Sequence, residues 1–135
     1  MLMISRRTAG NSLLVIFALL LLFHLTILVG IVPHDIVWAG KITSQEELVQ
    51  FETVSMLILV VAILLVAMKQ GYIRFPLSEQ IGKVGVWLLF FLFVLNSIGN
   101  LFAPNPIERY GFGLLTIVIA LLCFHLATGF RKKRR

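Results

Sequence analysis

The chain has 135 residues, of which 59% are hydrophobic and 13% are charged, and its mean hydropathy is +1.00. A soluble domain carries about 45–50% apolar and about 25% charged residues, so this composition excludes an ordinary soluble domain. The net charge is +6. The only cysteine is Cys123, and a single cysteine excludes an internal disulfide framework, a redox-active cysteine pair and a thiolate zinc site.

Four segments of the sequence are long and apolar enough to cross a bilayer as helices, which takes about 20 mostly apolar residues each. In chain order, we expect these spans at about residues 12–32, 48–68, 84–102 and 112–130. Lipid offers no water to satisfy the backbone, so each span should be an α-helix, and no strand is expected. The sequence therefore predicts one domain of the all-α class, residues 1–135, an integral membrane protein with four transmembrane helices in an up-down-up-down bundle.

Local signals place the ends of these helices. Pro33 stops the first span, and Ser44 followed by Glu47 is a capping box at the start of the second helix. We therefore expect the second helix to begin outside the hydrocarbon. Pro104 and Pro106 prevent the third helix from continuing into the loop before the fourth.

The placement of basic residues predicts the orientation in the membrane, because cytoplasmic flanks are rich in Lys and Arg. Ten of the 12 basic residues lie on one side of the predicted bundle: Arg6, Arg7, Lys69, Arg74, Lys83, Arg131, Lys132, Lys133, Arg134 and Arg135. The other side holds only Lys41 and Arg109. We therefore expect both termini in the cytoplasm, and the short loops favour a prokaryotic plasma membrane.

The C-terminal run Arg131–Arg135 also predicts an anionic lipid as a partner besides the bilayer itself, because a basic residue near an anionic surface contributes about 1 kcal/mol of attraction. Nucleic acid is not needed to explain the charge. Thr26 and Gly30 are spaced four apart and allow a close helix approach, either within the bundle or in a homo-oligomer.

Polar side chains gather in the predicted outer half of the bundle. From the helical rise, Glu52 lies about 6 Å and His24 about 12 Å below the outer boundary. An ionisable side chain in lipid costs about 2.5–3.5 kcal/mol, so each one needs a partner or a role. We expect an outward-open polar pocket, and its candidate residues are His24, Glu52, Ser55, Asn96, Asn100, Glu108, Arg109 and Thr116.

Each candidate also has a purely structural explanation. Asn, Ser and Thr commonly serve as hydrogen-bonding contacts between helices. The structural explanation for Glu52 is a salt bridge to Arg109 or an interfacial position that water reaches. His24 either pairs with Glu52 or Asn96 in a proton-linked site or, as the structural alternative, bonds a backbone carbonyl. For Glu108 and Arg109, the favoured explanation is that they are ordinary loop charges that cap the fourth helix.

No cofactor or metal is expected. His24 and His125 lie about 18 Å and about 7 Å from the inner boundary, too different in depth to hold one haem. His34 and Asp35 are adjacent but lack further ligands at a metal-binding spacing.

Three functions remain open. The first is a non-enzymatic membrane protein whose outer pocket binds a ligand, a lipid headgroup or a partner. The second is a proton- or ion-coupled transporter or channel that uses Glu52 and His24. The third is a membrane enzyme for a lipid-soluble substrate, with Glu52 as acid or base.

Overall fold

The computed structural model describes residues 3–129, and the predicted run Arg131–Arg135 lies outside this part of the chain. The four main helices are α1 (Arg6–Leu28), α2 (Gln45–Gln70), α3 (Ser78–Leu101) and α4 (Gly113–Ala127). Two 3₁₀ turns, His34–Ile36 and Trp38–Gly40, lie between α1 and α2, and a π-helical segment, Ile107–Phe112, precedes α4. No strand occurs between residues 3 and 129, so the all-helical prediction is confirmed.

All four helices are apolar and long enough to cross a membrane. Over an 18-residue window within each helix, mean hydropathy is 2.4 in α1, 2.6 in α2, 2.0 in α3 and 2.1 in the stretch Ile107–Ala127. Large apolar side chains also cover the outside of the bundle, where Leu95 is 67% exposed and Leu114 is 62% exposed. Such an apolar exterior is unfavourable in water and favourable in lipid. The chain is therefore a small membrane protein with four candidate spans, as the sequence predicts.

The helix ends follow local chemistry. Helix α1 ends at Leu28, before the predicted end of the first span, and Gly30 then adopts φ +80°, a left-handed conformation that suits glycine. Ser44 caps α2 by accepting a hydrogen bond from the Glu47 N–H at 3.2 Å. The Glu47 carboxylate bonds the N–H and hydroxyl of Thr43, both at 2.9 Å, so the cap extends one residue further back than a simple capping box.

The core joins all four helices. Helix α1 packs against α2 and α4, and α3 packs against α2 and α4. At the centre, the Phe17 and Phe93 rings stack with their centroids 5.5 Å apart. At Gly82, α3 comes so close to α2 that an added Cβ would lie 2.5 Å from the Lys69 backbone nitrogen. These close contacts make the bundle compact and set the positions of its polar side chains.

The two ends of the bundle differ in charge. We call one the basic end, because it holds Arg7, Lys69, Arg74 and Lys83, and the other the acidic end, because it holds Glu47, Glu52 and Glu108. At the basic end, the Gln70 amide donates to the Arg7 carbonyl at 2.9 Å, and His125 donates to the Ile4 carbonyl at 2.9 Å. The start of α1 therefore lies beside the ends of α2 and α4.

Candidate functional site

Glu52 is the centre of the polar contacts at the acidic end. It lies in the second turn of α2 and is fully buried, with 0% of its surface exposed. Its Oε2 lies 2.6 Å from Nδ1 of His24 on α1. Its Oε1 accepts a hydrogen bond from Nε1 of Trp38 at 2.9 Å. Both oxygens are therefore occupied, which offsets the cost of removing a carboxylate from water.

Trp38 reaches Glu52 from an unusual turn in the α1–α2 connection. We call Trp38–Gly40 the Trp38 turn, and its three residues have φ angles of 58°, 55° and 68°. Trp38 and Ala39 are not glycines, so the left-handed conformation costs about 1–2 kcal/mol of conformational free energy at each. The indole also packs against Phe51, with the ring centroids 4.9 Å apart. Such strain persists only where other contacts hold the backbone in place.

A second buried carboxylate holds the same turn. Glu108, in the π-helical segment before α4, is 7% exposed. Its Oε2 and Oε1 accept from the Ala39 N–H at 2.9 Å and 3.2 Å. The Trp38 turn is thus bonded on one side to Glu52, through the indole, and on the other to Glu108, through the backbone.

Apolar packing anchors the segments on both sides of this turn. Val37 and Ile42, which flank the Trp38 turn, are buried against Ile27 of α1 and Leu48 of α2. The Phe23 and Phe112 rings pack against the same cluster. The acidic end is therefore closed by a connection with its own small hydrophobic core.

The structure brings together three of the predicted site residues. His24 contacts Glu52, and Glu108 reaches the same turn through Ala39. Arg109 does not pair with Glu52; its Nε donates to the Ala103 carbonyl at 3.0 Å. An ordinary loop charge would be exposed to water, whereas Glu108 is buried and both of its oxygens accept from the Ala39 N–H.

The other predicted residues do not join this cluster. Ser55 donates to the Phe51 carbonyl at 2.9 Å, and Thr116 donates to the Phe112 carbonyl at 2.8 Å. Such bonds to the preceding turn satisfy the hydroxyl within its own helix. Asn96 is exposed and Asn100 is partly exposed, and neither side chain forms a hydrogen bond with another residue between positions 3 and 129.

Sequence reasoning missed two polar residues. Trp38 is not among the predicted site residues, although a tryptophan N–H near a membrane boundary needs an acceptor, which is a signal in the sequence. Ser97 is buried and donates to the Phe93 carbonyl at 2.7 Å, and no sequence signal separated it from Asn96. Within the described residues, no group of three or more His, Cys, Asp or Glu side chains is placed to hold a metal ion.

Comparisons with protein-family models, curated proteins and solved structures found no match to this chain. The class of protein is therefore defined by the fold alone. It is a small helical membrane protein, with two buried carboxylates that hold one strained turn at its acidic end.

Proposed function

We propose that this small membrane protein carries a binding site at its acidic end, centred on Glu52, for a polar ligand, a lipid headgroup or a protein partner. The observation that carries the proposal is the fully buried Glu52 carboxylate, bonded to His24 and Trp38. Ionisable side chains inside membrane spans are costly, and they most often mark functional sites.

The chemistry around Glu52 favours a ligand with an amine or ammonium group. A carboxylate attracts a positive charge, and the neighbouring Trp38 and Phe51 rings offer faces that stabilise organic cations. Glu52 is fully buried beneath these two partners, so a ligand must displace the indole N–H or the imidazole to reach its carboxylate. Replacing the indole releases one of the two bonds that hold the Trp38 turn. Binding that replaces the indole is therefore coupled to movement of this turn.

The proposal includes an orientation. We propose an up-down-up-down bundle in a prokaryotic plasma membrane, with both termini and the basic end in the cytoplasm. The strong bias of Lys and Arg toward the basic end supports this orientation. The contact of Gln70, at the end of α2, with Arg7, at the start of α1, supports antiparallel neighbours. The Glu52 site then faces the outside of the cell.

A second candidate function is proton-coupled transport. The observation in its favour is the 2.6 Å contact between His24 and Glu52, which lets two titratable groups exchange a proton. Proton uptake by sealed vesicles that contain the protein, driven by an imposed pH gradient, tests it. Uptake equal to that of empty vesicles contradicts the transport function and leaves the binding function standing.

The test of the binding site compares the parent with Glu52→Gln in lipid nanodiscs. Ser55→Ala is the matched control, because Ser55 lies one turn further along α2 and bonds only its own helix. Native mass spectrometry records co-purified molecules, and thermal unfolding with and without choline, recorded from about pH 4 to pH 9, reports binding of an ammonium probe.

We expect the parent and Ser55→Ala to carry a bound molecule or to be stabilised by choline, and Glu52→Gln to lose both effects. The proposal is overturned if the unfolding temperatures of the parent and Glu52→Gln change in parallel across the pH range, no molecule co-purifies with the parent, and choline does not stabilise it.

A further inference from the structure

A cavity of about 670 Å³ lies at the basic end, far from Glu52 along the bundle. The end of α2, the turn that follows it and the start of α3 form its walls. Three basic side chains line it, namely Lys69, Arg74 and Lys83. Large apolar side chains line it too, among them Met68, Phe75 and Leu77.

The charge of the cavity favours an anion. The lining contains three basic side chains and one carboxylate, that of Glu79, so it carries a net positive charge. Arg74 donates through Nε to the Gly71 carbonyl at 2.8 Å, which orients the guanidinium and leaves its two terminal nitrogens without a partner among residues 3–129. Lys83 is exposed and has no bonded partner in the same part of the chain. These donors fit the oxygens of a phosphate group.

The apolar wall favours an amphiphile over a free ion. Phe75 is 46% exposed and Leu77 is 69% exposed, directly beside the basic side chains. Leu77 adopts φ 72°, a conformation that is costly for a leucine and that places it at the start of α3. An inorganic phosphate would gain nothing from these side chains, whereas the acyl chain of a lipid would cover them.

We propose that this cavity binds the phosphate headgroup of an anionic membrane lipid. Arg74 and Lys83 hold the phosphate oxygens, and Phe75 and Leu77 contact the acyl chain next to the headgroup. The proposal does not depend on the Glu52 site, which lies at the other end. It is also separate from the lipid attraction expected for Arg131–Arg135, because the cavity is formed entirely by described residues.

The test titrates phosphatidylglycerol onto the full-length protein in detergent and measures occupancy of the first lipid by native mass spectrometry. Lys83→Gln and Arg74→Gln should each weaken binding about fivefold, the share expected for one basic residue at a membrane surface. Arg7→Gln is the matched control, since it removes the same charge at the same end without lining the cavity. We expect its effect to stay below about twofold. If Arg7→Gln weakens lipid binding as much as the cavity variants do, the lipid is attracted by the general surface charge of this end, and the proposed site is overturned.

A second arm separates a lipid from free phosphate. Phe75→Ser removes part of the apolar wall but keeps the backbone N–H that bonds Ser78. This variant should weaken phosphatidylglycerol binding and leave any binding of inorganic phosphate unchanged. The lipid proposal is overturned if Phe75→Ser leaves lipid binding unchanged and the protein binds inorganic phosphate tightly. That phosphate binding would have to be lost in Lys83→Gln and unaffected by Phe75→Ser, which would identify a phosphate site.

Discussion

Replacing Glu52 with two different residues separates its hydrogen bonds from its charge. In Glu52→Ala, the indole N–H of Trp38 and Nδ1 of His24 both lose their partner. A buried polar group left without a partner costs about 1–3 kcal/mol. His24 is 18% exposed, so water compensates part of its loss, and we expect a total destabilisation of about 3 kcal/mol.

Glu52→Gln keeps both bonds without the charge. The amide oxygen accepts from the Trp38 indole, and the amide nitrogen donates to Nδ1 of His24 when the imidazole proton is on Nε2. We therefore expect a loss of less than about 1 kcal/mol. This near-native stability also makes the glutamine variant a sound probe of ligand binding, because its failure to bind cannot be attributed to unfolding.

The assay is reversible unfolding in mixed micelles, followed by the loss of helical circular dichroism as the denaturing detergent is increased. Ser55→Ala serves as the control, with a hydroxyl that bonds only the Phe51 carbonyl of its own helix. An alanine variant of Glu52 as stable as the parent would refute the argument, since the two bonds would then contribute nothing. So would a glutamine variant as unstable as the alanine one.

The same assay checks three further expectations. Glu108→Ala removes the acceptor of the Ala39 N–H, so we expect a loss of about 1–2 kcal/mol and faster proteolysis within the Trp38 turn; unchanged proteolysis contradicts it. Ala39→Gly relieves a φ of 55° and should not destabilise the protein, whereas Gly40→Ala, at φ 68°, should cost about 1 kcal/mol. Gly82→Val forces α3 away from α2 and should cost about 1–3 kcal/mol. Gly99→Ala is its control, because a Cβ there meets nothing within 4 Å, and an equal loss in both would contradict the packing argument.

The helices were predictable because their signals are local. Hydropathy over about 20 residues identifies a span, and the Ser44 cap needs only the next three residues. The partners of Glu52 are not local. His24 lies 28 residues before it and Trp38 lies 14 residues before it, across a connection whose left-handed turn has two non-glycine residues. No propensity rule predicts that conformation for tryptophan and alanine.

Position along the helix was predictable, but direction around the helix axis was not. Asn96 and Ser97 are adjacent in α3 and differ by about 100° around the axis. Ser97 is buried and Asn96 is exposed, although the amide is the more polar side chain. Helix α3 is apolar on all sides, so its sequence did not indicate which face the bundle covers. Whether Asn96 lies near Glu52 depends on which side of α3 faces the bundle. Only the packing of α3 against α2 and α4 determines that side.

The two ends of the bundle use their charges in different ways. At the acidic end, Glu52 and Glu108 are bonded to the protein itself, so a ligand there must exchange with an existing contact. At the basic end, Arg74 and Lys83 keep donors without a bonded partner among the described residues, so a ligand adds contacts without breaking any. Exchange at Glu52 first breaks a hydrogen bond to His24 or Trp38 and should be slow, whereas lipid binding at the basic end should be limited only by encounter. The rate of association therefore distinguishes the two proposed sites even when their affinities are equal.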